Sequence, residues 1–247
     1  MYIMKGIDLT KIGRMMDVSA VRTDVTMEEV DKMIDIVIKY HCICASPMPW
    51  ITKYTVDRLA DVSDAVVTGV VSFPGGAETT SIKIATAKEM IGLGCRELDM
   101  VMNVSAFKSG NYKLVEEDIK AVVDAAGEVP VKSIIEICYL TDDEIKKASE
   151  IAVRAGVAYV KTGTGWGPKP TTVDTIKIIK ETIGDSAFIK AAGGVRDLDT
   201  LLEMKGAGCD RFGIGVRSAL SILQEAYRRE GVETIDSLEG ASDTDKY

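Results

Sequence analysis

Histidine is almost missing from this chain: His41 is the single one among 247 residues. Zinc centres draw on clusters of imidazole and thiolate ligands, so a histidine-built metal site is excluded, and His41 reads as a helix-terminating residue. The five cysteines (42, 44, 95, 138 and 209) are an odd set. Cys42 and Cys44 stand as C-x-C rather than C-x-x-C, which supports neither a disulfide framework nor a thioredoxin-like motif. Positive charge is also short: 30 basic against 38 acidic residues leave a net charge of −8. Without a local basic patch such a chain repels a phosphodiester backbone, so nucleic acid is not an expected partner. No apolar run approaches the roughly 20 residues that span a bilayer. "MYIMKGIDLTK" carries no signal-peptide apolar core, and a cytoplasmic protein without membrane contact is expected.

What is present is apolar and regularly punctuated. With 46% of residues in the hydrophobic set, the chain can bury a sizeable core. Short apolar runs at 6–8, 42–45, 65–71, 97–102, 131–137, 158–161, 187–191 and 211–214 read as strands. Helical patterns lie between and after them, near 26–40, 53–62, 79–93, 111–126, 141–155, 171–183, 197–207 and 217–230. Thr26 ahead of Glu29, Thr141 ahead of Glu144, and Thr171 or Thr172 after Pro170 supply N-cap acceptors. Glycines in "LGCRELD", "RAGVAYVK" and "KGAGCDRFG" suit helix C-termini. Eight strand and helix pairs predict an α/β protein, a closed (β/α)8 TIM barrel. No linker divides residues 1–247, so one domain is expected, with the acidic stretch 232–247 a loose tail. An early G-x-G-x-x-G turn is lacking, and "GTGWG", after the sixth strand, does not match a dinucleotide fingerprint.

Barrel chemistry gathers at the C-terminal ends of strands. The ionisable residues there are Asp8, Asp99, Glu136, Lys161 and Lys190. Lys161, ending "AYVK", is either a lysine that snorkels to solvent or an amine in a dry pocket, where burial and a neighbouring cation lower its pKa and free its lone pair for attack on a carbonyl. Lys190, ending "AFIK", is such a neighbour. Asp99, inside the apolar "RELDMVM", either pairs with a lysine or passes protons at the carbon beside an iminium. Glu136 orients a lysine or water from behind, or serves as the base of a phosphate-binding isomerase. Glycine loops follow strands seven and eight, where barrels hold phosphate on backbone N–H groups. Gly193, Gly194, Gly213 and Gly215 are the candidates there, with Arg217 as a cationic partner. Together these describe an aldolase acting on a phosphorylated aldehyde through an imine rather than a metal enolate. A non-catalytic phosphate-sensing barrel is the alternative of another class.

"ELDMVMNVSAFKSGNYKLVEEDIKAVVDAAG", "VKSIIEICYLTDDEI", "YVKTGTG", "IKAAGGVRDLD" and "GAGCDRFG" resemble the deoxyribose-phosphate aldolase family over roughly residues 6–226. The resemblance implies a TIM-barrel class I aldolase that reversibly cleaves 2-deoxy-D-ribose 5-phosphate to acetaldehyde and D-glyceraldehyde 3-phosphate, with no cofactor and no metal. It makes Lys161 the imine-forming lysine, Lys190 the lysine that lowers its pKa, and Asp99 the proton relay. It further implies that Asp8 and Thr10 in "IDLT" form the first-strand contact to substrate hydroxyls, and that Cys44 lies near the pocket. Thr162 and Gly163 belong to the pocket wall. Three departures stand out. Gly215 and Val216 replace the serine pair after "FG", leaving Arg217 or Ser218 to hold phosphate. About nine extra residues, around 11–22, lengthen the loop after "IDLT". "TGWGPKP" adds Trp166 and Lys169, where substrate preference is expected to show; a related class I aldolase acting on another phosphorylated sugar or ketose is the runner-up. Apolar positions in "KIGRMM" offer a dimer surface or a lid, and a homo-oligomer is expected.

Overall fold

The computed structural model describes residues 7–234. Eight strands form a closed parallel barrel in sequence order: β1 (Met16–Ala20), β2 (Cys44–Pro47), β3 (Val66–Val71), β4 (Glu97–Val101), β5 (Val131–Ile134), β6 (Tyr159–Lys161), β7 (Phe188–Ala192) and β8 (Arg211–Gly215). The helices around it are α1 (Met27–Lys39), α2 (Thr52–Arg58), α3 (Thr80–Gly92), α4 (Val104–Lys108), α5 (Tyr112–Ala126), α6 (Asp142–Arg154), α7 (Val173–Ile183), α8 (Leu198–Gly206) and α9 (Val216–Arg229). The expected TIM barrel is therefore the fold. The loose tail expected at 232–247 falls outside the described residues from 235 onward.

The helix starts follow their side chains. Thr26 Oγ1 accepts from Glu29 N at 3.3 Å, and Thr141 with Glu144 forms a full capping box. Of the two threonines before α7, Thr172 caps, accepting from Thr175 N at 3.2 Å, while Thr171 is buried and donates to the Ala192 carbonyl. His41 takes a left-handed conformation (φ 51°) just past α1, with Asp64 at 2.8 Å. The main apolar layer lies between sheet and helices, where Leu98 and Met100 of β4, Ile119 and Val122 of α5, Ile151 of α6 and Ile179 of α7 are fully buried. Each such side chain contributes on the order of 1.5–3 kcal/mol.

The first strand is a correction. It is "MDVSA" at 16–20, not 6–8. Leu9–Met15 instead forms a short 3-10 helix whose N-cap is Asp8, with Thr10 N donating to Asp8 Oδ1 at 3.1 Å. Because this helix feeds the N-terminal end of β1, Asp8 and Thr10 lie at the end of the barrel opposite the site, where Leu9 N meets Glu230 beyond α9 at 3.3 Å. "IDLT" and "MDVS" share the same Asp, apolar, hydroxyl pattern nine positions apart. Only the second pairs with β2 and β8, setting Asp17 beside Cys44 and Gly213. Residues 11–22 are thus not an extra loop over the pocket. Nor is "KIGRMM" an exposed surface, since Ile12 and Met16 are fully buried.

Candidate active site

Strand register brings the functional side chains together. β6 and β7 are aligned so that Lys161 stands beside Lys190, which in turn stands beside Arg211 of β8. Asp99 of β4 stands beside Lys132 of β5. The interior of this barrel end is consequently ionic rather than apolar. The Asp99 Oδ2 atom accepts from both Lys161 Nζ at 2.7 Å and Lys190 Nζ at 2.8 Å. Its Oδ1 accepts from Lys132 Nζ at 2.8 Å and from the Thr68 hydroxyl at 3.2 Å. Lys190 also donates to Asp17 Oδ2 at 2.5 Å, and Asp17 Oδ1 accepts from Arg211 Nε at 2.6 Å. Glu97 completes the layer, 2.6 Å from Lys132 and 2.9 Å from Arg211.

Unpaired charges in such an interior would be expensive, and paired ones tolerate it only with full hydrogen bonding. Among the described residues the cluster holds four cations, Lys132, Lys161, Lys190 and Arg211, against three carboxylates, Asp17, Glu97 and Asp99. One positive charge is in surplus, and Lys161 is the group that gives it up. Burial pushes its amine down, the Asp99 carboxylate works against that, and Lys190 and then Lys132 push it down further, to about 8. For Asp99, burial favours the neutral acid, but the charges of Lys132, Lys161 and Lys190 outweigh it and hold the carboxyl well below its ordinary range. Asp17 is held at about 2, burial again being outweighed, here by Lys190, Lys132 and Arg211. Burial raises the Cys44 thiol well above its ordinary value, so this cysteine stays neutral.

Lys161 opens onto a cavity of about 30 Å³, lined among others by Ser19, Ser46, Asp99, Lys190, Gly213 and Gly215. The buried Ser46 hydroxyl has no hydrogen-bond partner among the described residues, so it is available to a bound molecule. Cys44, two residues earlier, lies deeper beside Asp17 and Glu97. These three could in principle surround a metal ion, but both carboxylates are already committed to Lys132, Lys190 and Arg211, and a dication would add to a surplus of positive charge. The donor set does not fit a metal.

A second cavity, about 390 Å³, adjoins the loops after β6 and β7 and is lined by Gly163, Lys169, Gly193, Gly194 and Arg196 among others. Gly193 and Gly194 both have positive φ (87° and 86°), and a Cβ on Gly194 would strike Pro170, so this backbone lies bare against its neighbours. The expected phosphate residues thus divide. Gly194 faces this cavity with Gly163; Gly213 and Gly215, both within β8, face the cavity at Lys161; Gly193 borders both; and Arg217 is exposed on the first turn of α9 and lines neither. Thr162 is buried in a stitch between strands: it accepts from Ala192 N at 3.0 Å and lies 2.7 Å from the Thr171 hydroxyl. It lines neither of these two cavities.

Glu136 ends β5 early. Its left-handed backbone (φ 55°) stops the strand at Ile134 rather than 137, a conformation that costs a non-glycine residue on the order of 1 kcal/mol or more. The buried carboxylate receives Thr164 N at 3.2 and 3.3 Å, which ties down the loop after Lys161. It lines the 390 Å³ cavity and a third of about 610 Å³, but not the one at Lys161. Asp17, Glu97, Lys132 and Arg211 were not among the residues expected from the sequence. The signal that finds them is period-two alternation: Glu97 and Lys132 each precede by two a residue on the inner face of the same strand.

Against this geometry the comparisons with known proteins are consistent. The model of the DeoC/LacD family aldolases matches residues 3–225. The deoxyribose-phosphate aldolase of Sinorhizobium medicae is 39% identical over 214 residues, covering 87% of this chain and 86% of that protein. That of Methanothermobacter thermautotrophicus is 41% identical over 215 residues, covering 87% and 94%. Among solved structures, QR15, described as an aldolase, superposes with a TM-score of 0.83 at 33% identity, covering 91% of this chain and 98% of that one. A barrel with a depressed lysine at the end of β6, matched along nearly its whole length in this way, belongs to the DeoC/LacD aldolase family.

Proposed function

We propose that this protein is a class I aldolase that reversibly cleaves 2-deoxy-D-ribose 5-phosphate into acetaldehyde and D-glyceraldehyde 3-phosphate through a Schiff base on Lys161. One observation carries the reading: the Lys161 amine, brought down to about 8, borders a cavity and shares the Asp99 carboxylate with Lys190. In the cleavage direction the neutral amine attacks C1 of the open-chain sugar, and the carbinolamine loses water to give an iminium. Transfer of the C3 hydroxyl proton to a water molecule, and from there to solvent, breaks the C2–C3 bond. Its electron pair flows to the iminium nitrogen, leaving an enamine and releasing the three-carbon aldehyde phosphate. Protonation at C2 and addition of water then free acetaldehyde and restore the amine. Asp99, 2.7 Å from Lys161 Nζ, is placed to carry protons at the nitrogen and at C2. The salt bridge and the proton relay, alternatives in the sequence, are compatible roles for one carboxylate. In this reading the phosphate lies against Gly193, Gly194, Lys169 and Arg196, rather than Arg217. The homo-oligomer belongs to the same proposal, supported by the exposed side chains of Trp50, Tyr139 and Phe188.

The test is borohydride reduction with acetaldehyde or 2-deoxyribose 5-phosphate, followed by intact mass and peptide mapping. The expected product is one reduced adduct on Lys161, absent in Lys161→Arg. A protein that turns over the sugar phosphate without a trapped adduct would overturn the imine.

A further inference from the structure

The cavity at Lys161 is too small for the reaction's larger partner. A volume of about 30 Å³ holds roughly two water molecules, enough for a two-carbon donor but not for an acceptor aldehyde beside it. The acceptor must extend into one of the two neighbouring cavities, and these differ in chemistry. The 390 Å³ cavity is lined by glycine backbone, Lys169 and Arg196. The 610 Å³ cavity is lined chiefly by apolar groups, Pro74, Val101, Val104 and Tyr139, and its Lys108 is already held by Glu144 at 2.7 Å.

Trp166 lines the apolar cavity, and its side chain touches two residues that line the cavity at Lys161. The indole N–H donates to the Val21 carbonyl at 3.2 Å, and the ring meets Phe73 edge-on, with centroids 5.9 Å apart at 88°. Val21, just beyond β1, and Phe73, just beyond β3, both line the cavity at Lys161. The side chain therefore reaches from the β6 loop across to the ends of two other strands. Its own loop is anchored from beneath, with Trp166 N donating to Thr164 Oγ1 at 3.0 Å and Thr164 N to Glu136. We propose that Trp166 is a specificity-determining partition: it closes the apolar cavity to the enamine on Lys161, so that an acceptor aldehyde must run toward the glycine and arginine cavity, which selects for an anionic end. This rests on the aldolase reading and adds to it the residue that enforces the choice of acceptor.

The experiment runs the reaction in the synthetic direction, with acetaldehyde as donor and two acceptors, D-glyceraldehyde 3-phosphate and the uncharged hexanal. Trp166→Ala is expected to raise kcat/KM for hexanal by about tenfold or more, the scale on which apolar pocket changes discriminate substrates. Its use of glyceraldehyde 3-phosphate should stay within about threefold of wild type. Trp166→Phe, which keeps a ring against Phe73, is expected to leave hexanal poor. Trp166→Leu fills part of the space but cannot reach Val21 with a donor; it should move in the same direction as alanine and serves if the alanine variant does not fold. An unchanged hexanal to glyceraldehyde 3-phosphate ratio in a folded alanine or leucine variant overturns the partition. Borohydride trapping of acetaldehyde on each variant separates the two ideas: no adduct on wild type sinks the aldolase reading, whereas an adduct with an unchanged ratio sinks only the partition.

Discussion

Replacing Lys190 by methionine removes a charge that, beside burial, helps hold the Lys161 amine at about 8. Both nitrogens bond the same Asp99 oxygen, at 2.7 and 2.8 Å. Two unit charges roughly 4–5 Å apart, at an effective dielectric constant near 20, repel by about 3–4 kcal/mol. That is an upper bound of between two and three pKa units, and part of it is lost as the remaining charges adjust. Burial, the largest cause of the depression, is untouched by the substitution. The expected net change is a rise of one to two units, taking Lys161 from about 8 to about 9–10. At pH 7.5 the neutral fraction then falls from about a quarter to between about 3% and 0.3%, a loss of roughly eight- to eightyfold in nucleophile. The assay is kcat/KM for 2-deoxyribose 5-phosphate cleavage between pH 6.5 and 10.5, with borohydride trapping in parallel. Wild type should rise to a plateau above about pH 8. Lys190→Met should be slow at neutral pH and recover to within about threefold at pH 10.5. An inflection still near 8, or a deficit equal at every pH, would refute the charge-count explanation and leave Lys190 a purely positional role.

Two further outcomes follow from the same cluster. Because the folded pKa of Lys161 lies below its ordinary 10.5, protonating it costs the native state up to about 3 kcal/mol. This cost is complete below pH 8 and gone above 10.5. Lys161→Met should thus be inactive yet more stable than wild type at pH 7 by about 1–3 kcal/mol, with the advantage shrinking as pH approaches 10; urea midpoints at the two pH values check it, and a pH-independent difference would refute it. Glu136→Ala, by releasing Thr164 N, should raise KM several-fold while leaving the inflection near 8 in place, whereas Glu136→Gln retains an acceptor and should stay close to wild type.

Lys161, Lys190 and Asp99 were legible because each interrupts or ends an otherwise apolar run, and a closed barrel of eight units brings such ends to one mouth. Lys132 and Arg211 escaped notice for the complementary reason: each stands at or next to the start of its strand, where a basic residue ordinarily faces solvent. Their burial depends on carboxylates from β1 and β4, far away in the chain. Asp17 was hidden by a near repeat. Nothing in "IDLT" or "MDVS" alone says which will pair with β8, and the choice falls on the segment followed at the right distance by α1. Gly193 and Gly194 lie in a loop after β7 as expected, whereas Gly213 and Gly215 belong to β8 itself, which passes directly into α9; the packing of the "TGTGWG" turn on Gly193 is a contact between residues from different strands. Trp166 was visible as a departure. Its bond to Val21 was not, since the partner lies 145 positions away.

The surplus positive charge bears on the proposed chemistry as well as on the resting amine. When Lys161 becomes an iminium it carries a positive charge that no base can remove from nitrogen, so the interior again holds four positive charges against three carboxylates. Cleavage of the C2–C3 bond sends an electron pair onto that nitrogen and gives a neutral enamine, which returns the cluster to balance. The repulsion that frees the amine for attack therefore also favours the bond-breaking step, by raising the iminium relative to the enamine that follows it. In the synthetic direction the same term holds the donor as enamine until an acceptor arrives. In the proposed reaction Lys190 and Lys132 thus act twice through their charge, and their carboxylate partners limit the surplus to one charge. A second unpaired cation would strain the fold, whereas a fourth carboxylate would keep Lys161 protonated.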